Sequence, residues 1–228
     1  MMRVASHAGG RLRPGSSLAP GRSRRGGWTL LALWALVGAP AAEEGNVGDG
    51  VGTSAARAAP AVIADVAADG LASRLGGRWR VVTDQVMGGV SAGELALVEL
   101  DGRPCVRLTG DVRLERNGGF LQLALDLERD GRALDASAYE GVRLLARGNG
   151  EVYGVHLRTS DLWFPWQSYR AGFVAGSAWS EVRLPFADFQ PYRTGMSLEP
   201  ARLIRLGVFA IGRVFQADVC VAEVGLYR

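Results

Sequence analysis

Past residue 78 the chain alternates between apolar and polar positions. Leu121, Leu123, Leu125 and Leu127 fall on one side of a period of two, with Gln122, Ala124 and Asp126 on the other. Val142, Leu144 and Ala146 alternate with Arg143 and Arg147, and Val182 and Leu184 alternate with Glu181 and Arg183. Successive side chains of a strand point to opposite faces, so this period predicts strands with one buried face. The pattern predicts ten of them, near 79–83, 94–100, 104–109, 119–127, 141–147, 151–158, 166–173, 179–184, 203–211 and 216–227. Asp101-Gly102 and Asn149-Gly150 lie between alternating runs and read as tight hairpin turns. No long stretch keeps a 3.6-residue period, and short helical turns are expected at 135–139 and 186–189. Many short strands with sparse helix predict an all-β fold, a jelly-roll β-sandwich.

Composition changes the picture at the N-terminus. All 26 basic residues are Arg, and six of them precede residue 42, where no acidic residue occurs. Residues 42–228 therefore carry a net charge of −3, which removes the charge-based case for a nucleic-acid partner. An Arg-rich start, an uncharged apolar run over 28–37 and the small-x-small site Ala39-Pro40-Ala41 predict a signal peptide over 1–41. The expected location is periplasmic or otherwise exported; the alternative is a mitochondrial matrix or cytoplasmic protein whose leader is a transit peptide or a misassigned start. Residues 42–74, rich in Ala, Gly and Val, read as a flexible linker with one short strand near 61–66, and 75–228 as a single domain. Cys105 and Cys220 fall in two predicted strands and read as buried thiols, although export would permit a disulfide between them.

Two glycine pairs stand out. Asp84-Gln85-Val86-Met87-Gly88-Gly89-Val90-Ser91 follows Trp79, and Asn117-Gly118-Gly119-Phe120 comes about 30 residues later. Gly beside Asp or Asn suits tight crossings between strands, where Asp84 and Asn117 can bond backbone groups and Met87 can fill a gap. Together with Tyr139-Glu140-Gly141, Gly148-Asn149-Gly150, Tyr153, Trp179 and Leu184-Pro185-Phe186-Ala187-Asp188-Phe189, these segments resemble the complex I intermediate-associated protein 30 family. The resemblance spans about residues 75–228. It implies a galactose-binding-like β-sandwich and the role of an assembly chaperone for respiratory complex I, without enzymatic activity. Asn149 departs from the family, which more often has Asp there. The leader departs too, because it would send the domain to the side of the membrane opposite to the matrix-side assembly.

Other chemistry finds little support in the residues. Gly89-Val90-Ser91-Ala92-Gly93 has the spacing of a nucleophile elbow, but it lies between strands, and His156 is the one imidazole after the leader. His156 alternates with Arg158 on the polar side of its strand. No His or Cys spacing suits zinc, and Gly148-Asn149-Gly150 misses the dinucleotide pattern, so no cofactor and no His- or Cys-rich metal site is expected, while calcium on loop oxygens stays open. Asp126, Glu128 and Asp130 read as a solvated turn. Leu162-Trp163-Phe164-Pro165-Trp166 is bulky and interrupted by proline, which suits an overhanging loop. The expectation is a non-enzymatic module that binds a protein, such as a membrane or respiratory-complex subunit. Its contact surface would comprise Asp84, Met87, Gly88, Gly89, Asn117, Gly119, Phe120, Trp163 and Trp166. The alternative is an exported carbohydrate-binding module that stacks Trp163 and Trp166 on a glycan.

Overall fold

The structure, a computed structural model, describes residues 61–228. The expected signal peptide over 1–41 and the linker residues 42–60 lie outside the described residues. Strands β1 (Val62–Asp65), β2 (Arg80–Thr83), β3 (Ala92–Leu100), β4 (Arg103–Val112), β5 (Phe120–Asp126) and β6 (Gly141–Gly148) form the first half of the domain. The second half holds β7 (Val152–Thr159), β8 (Ser168–Val174), β9 (Ser180–Pro185), β10 (Gln190–Tyr192), β11 (Leu203–Ile211) and β12 (Phe215–Tyr227). They build two antiparallel sheets. One has the order β3-β4-β12-β6-β9, with β1 also paired to β12; the other has the order β10-β8-β7-β11-β5-β2.

The alternating apolar residues meet between the sheets. Leu121, Leu123, Leu125, Val155, Leu157, Leu206 and Val208 face Val106, Leu108, Val142, Leu144, Val219 and Val224 in one core. Removing this much apolar surface from water is the main force holding the two layers together. The ten predicted strands are all present. The eleventh and twelfth are β1, at the anticipated short strand, and β10, a three-residue edge whose sequence Gln-Pro-Tyr carries no period. Because β1 pairs with β12 and buries Ile63 and Ala64, the folded body extends back at least to Ala61, into part of the segment read as linker. The turn expected at 186–189 is a 3-10 turn over Phe186–Asp188, whereas 135–139 forms no helix.

Two expectations need correction. Asn149-Gly150 does not close a hairpin: β6 pairs with β12 and β9, and β7 pairs with β11 and β8, so this turn carries the chain from one sheet to the other. Asn149 Nδ2 donates to Gln216 O at 2.8 Å while its Oδ1 accepts from Tyr153 Oη at 2.7 Å. An aspartate could not make the first bond, which accounts for the Asn. The cysteines are not free thiols. Cys105 on β4 and Cys220 on β12 form a disulfide with Cα atoms 5.7 Å apart, on the outer side of their sheet beneath Trp179. The two strands are neighbours despite a sequence separation of 115 residues.

Candidate functional site

Asp84 is the anchor of both glycine motifs. It is fully buried at the start of a 3-10 turn over Asp84–Met87 that Thr83 caps. Its carboxylate accepts from Ser91 N (2.9 Å), Ser91 Oγ (2.5 Å), Gly119 N (2.5 Å) and Phe120 N (3.3 Å). Burial pushes this carboxyl up, but the bonds from Ser91, Gly119 and Phe120 outweigh it and hold the group below its ordinary value of 3.8. Each glycine pair divides its labour. Gly88 (φ 87°) and Gly119 (φ 122°) supply backbone conformations that L side chains avoid. Gly89 and Gly118 supply space: a Cβ on either would lie 2.3 or 2.4 Å from the Asp84 carboxylate.

This buried knot fixes one rim of a groove of about 510 Å³ that runs across the outer face of the β10-β8-β7-β11-β5-β2 sheet. Val86 and Met87 from the first motif and 117–119 from the second stand on that rim; Pro165 and Trp166, from the β7–β8 loop, also line the groove. The floor comes from outward positions of the strands: Gln122 on β5, His156 and Arg158 on β7, Arg170 on β8, Arg205 and Phe209 on β11. Small residues let larger ones lie flat. Gly207 pairs opposite His156, and a Cβ there would lie 2.3 Å from Gln122 Nε2 and 2.7 Å from the Phe209 ring.

The floor is short of negative charge. Arg158, Arg170, Arg193 and Arg205 line the groove, and no Asp or Glu of the described residues does. Arg205 shares Asp126, at the strand end, with Arg80, each at 2.6 Å. Arg158 instead donates to Leu162 O at 3.2 Å, and Arg170 donates Nε to Ser168 Oγ at 3.0 Å while lying 3.3 Å from the Tyr192 ring centroid. Burial depresses both guanidiniums, with Arg205 adding to the effect on Arg158. His156 stacks on Phe209 with centroids 3.8 Å apart, and burial together with Arg170 pushes its pKa down to about 3, so the ring is neutral.

The predicted residues thus separate into groups. Met87, Asn117, Gly119, Phe120 and Trp166 meet at the groove. Asp84 and Gly89 lie beneath its rim, and Gly88 ends the rim turn. Asn117 contributes a φ of 58° to the turn where a side-chain cap was expected. Trp163 is 90% exposed but does not line the groove, whereas Trp166, 48% exposed, stacks on Phe164 at 4.9 Å. Ser91 cannot present its hydroxyl: it is fully buried, bonded to Asp84, and accepts from Arg113 N at 3.0 Å. Asp126, read as part of a solvated turn, is an ion-pair partner at the end of the floor. Sequence reading did not single out Arg158, Arg170, Arg205, Phe209, Gln122 or Tyr192. The available signal was that the polar side of β7 and β8 carries His and Arg next to bulky loops.

Among the described residues no three His, Cys, Asp or Glu side chains converge as metal ligands. No curated protein matches the sequence at a significant level. Solved structures similar in fold include two carbohydrate-binding modules. One is the family 11 carbohydrate-binding module from Clostridium thermocellum in complex with a beta-1,3-1,4-mixed-linked tetrasaccharide, at TM-score 0.52 and 10% identity over 65% of this chain and 88% of that chain. The other is the family 11 module of the cellulosomal cellulase Lic26A-Cel5E of Clostridium thermocellum, at TM-score 0.53 and 10% identity over 68% and 96%. At such identity the likeness is one of fold, a β-sandwich of the galactose-binding and jelly-roll kind. The complex I intermediate-associated protein 30 (CIA30) family matches over residues 72–215, most of the domain and both glycine motifs included, and the chain belongs to that family.

Proposed function

We propose that this chain is a non-enzymatic binding module that holds a protein partner during assembly, with the groove as its contact surface. The observation that carries this reading is the convergence of both glycine motifs on one rim of the groove. Exposed Val86 and Met87 and the Trp166 side chain offer apolar contact around a charged floor, as protein interfaces do. Family membership supports a protein partner. The Cys105–Cys220 disulfide supports an oxidising compartment and with it the exported location, where the partner would be a membrane-associated subunit or another exported protein.

Photo-crosslinking tests the surface. A crosslinker placed at Met87 or at Trp166 should capture the same partner, and one at Leu97, on the other sheet, should not. Met87→Ala combined with Trp166→Ala should abolish recovery, while Trp163→Ala should leave it intact. Capture that is equal from all three positions would rule out the groove. Fractionation with N-terminal sequencing tests the location; a mature end after Ala41 is expected.

A second reading, an exported carbohydrate-binding module, draws on the rings of Trp166, Tyr192 and Phe209 along the groove and on the shared fold of the two carbohydrate-binding modules. Affinity electrophoresis in gels containing soluble β-glucans separates the two. Retardation that disappears in Trp166→Ala would favour the glycan.

A further inference from the structure

The two outer faces of the sandwich treat their arginines differently. On the β3-β4-β12-β6-β9 sheet, Arg107 pairs with Asp218 at 2.7 Å, Arg183 with Glu181 at 2.6 Å, Arg143 with Glu223 and Arg147 with Asp101, while the exposed Arg103 lies over the Trp179 ring. On the groove face, no carboxylate of the described residues pairs with Arg158, Arg170 or Arg193, and Arg80 and Arg205 share the single Asp126. Arg158 and Arg170 sit on adjacent strands, partly withdrawn from solvent beneath the β7–β8 loop. A half-buried guanidinium without a counter-charge costs stability that its hydrogen bonds and ring contacts offset only in part, and an anion arriving from outside would offset the rest.

We propose that the groove floor is a carboxylate-recognition site: Arg158 and Arg170 grip an acidic side chain of an extended peptide segment that lies across the sheet between Met87 and Trp166. This deepens the protein-partner reading and rests on it. Arg170 is already oriented for such a contact. The Tyr192 ring and Ser168 hold its guanidinium plane in place, so little side-chain freedom remains to be lost on binding. Arg158 is tethered to Leu162 O, at the base of the loop that carries Trp166. His156, stacked on Phe209, fills the floor opposite Arg170. The apolar rim suits the neighbouring side chains of a peptide, with one carboxylate in the middle reading the register. Charge complementarity selects the occupant: a basic segment would meet Arg158, Arg170 and Arg193 with no carboxylate paired to them, and Asp126 at the floor's end is already held by Arg80 and Arg205.

Fluorescence anisotropy on the full chain tests this with a labelled decapeptide of alternating Glu and Gly, against its Gln-for-Glu counterpart. The Glu peptide should bind at least about ten-fold more tightly, and its affinity should fall as salt rises. Arg158→Gln and Arg170→Gln should each weaken it about ten-fold, the Lys variants should retain part of the affinity, and Arg183→Gln on the opposite sheet should change nothing. Thermal melts of each variant establish that the fold survives. Equal binding of the two peptides, or unchanged binding by the Arg158→Gln, Arg170→Gln double variant, would overturn the proposal. So would binding of polygalacturonate without binding of the Glu peptide, which would make the ligand an acidic glycan, or saturation by inorganic phosphate at equal affinity, which would leave a small-anion site. The two readings fail separately. A crosslinked partner that the double variant still holds would sink the carboxylate site and leave the assembly module standing; Glu-peptide binding without a rim-dependent partner would do the reverse.

Discussion

The carboxylate of Asp84 accepts from three backbone N–H groups and one hydroxyl; those of Ser91 and Gly119 are buried, and that of Phe120 is half-buried. Asp84→Ala would remove the side-chain acceptor from the buried Ser91 and Gly119 N–H groups, while the Ser91 hydroxyl keeps Arg113 O within reach, and unmet buried donors cost about 1–3 kcal/mol apiece before relaxation. A loss of about 3–5 kcal/mol in urea denaturation is expected. Asp84→Asn keeps the shape but loses the charge, so it should fall between wild type and Ala. Because the folded pKa lies below the ordinary 3.8, the charge contributes fully above that pH and is lost as pH falls through the folded value. The stability gap between wild type and Asp84→Asn should therefore be constant at neutral pH and close only in acid. A gap that widened in acid would show that the carboxyl is held neutral. Gly89→Ala and Gly118→Ala act on the same group from outside, by driving a Cβ into it. They should each destabilise the domain by about 1–3 kcal/mol, the usual cost of overpacking, although neither glycine sits at positive φ.

At the scale of elements, β12 holds its sheet together. It runs over Phe215–Tyr227, pairs with β4 along its first half and with β6 along its second, and accepts β1 beside Glu223. The disulfide ties this strand to β4 across a loop of 115 residues, for which the chain-entropy model gives about 4–5 kcal/mol. In a domain of this size Cys105→Ala with Cys220→Ala should lower Tm by about 10–15 °C, as should reduction. An unchanged Tm in reductant would mean that the strand pairing alone suffices. The strands themselves were legible, because a buried face leaves its period of two in the sequence whatever lies opposite. Their neighbours were not. Alternation states that Cys105 and Cys220 are in strands but not that β4 adjoins β12, and it cannot distinguish the sheet-to-sheet crossing at Asn149-Gly150 from a hairpin. The same limit explains the candidate site. Asp84, Met87, Asn117 and Trp166 were visible through unusual residue types at turns. Arg158 and Arg170 looked like ordinary polar-face residues, since only the overhanging loops withdraw them from water. β10 was missed because three residues around a proline carry no pattern, yet its Tyr192 supports Arg170.

For the molecule as a whole, the half-buried arginines of one face are ion-paired, whereas on the other Arg158 and Arg170 have no carboxylate partner among the described residues. A site kept for a partner is expected to cost the free protein stability. Arg158 is the position where this can be read cleanly, because its one hydrogen bond, to Leu162 O, is long and its stem packs on the floor. Arg158→Met keeps the stem and deletes the charge. Loss of a surface arginine with a structural role would lower stability, whereas loss of a desolvated, uncompensated cation should leave it equal or raise it by up to about 1 kcal/mol. Sulfate or citrate should raise the Tm of the wild type more than that of Arg158→Met, since an anion that occupies the floor stabilises the state that binds it. The ion-paired Arg107→Met, on the other face, serves as the reference and should lose stability through Asp218, with no change in its response to anions. A destabilised Arg158→Met with an undiminished response to anions would place the surplus charge elsewhere and return Arg158 to the scaffold.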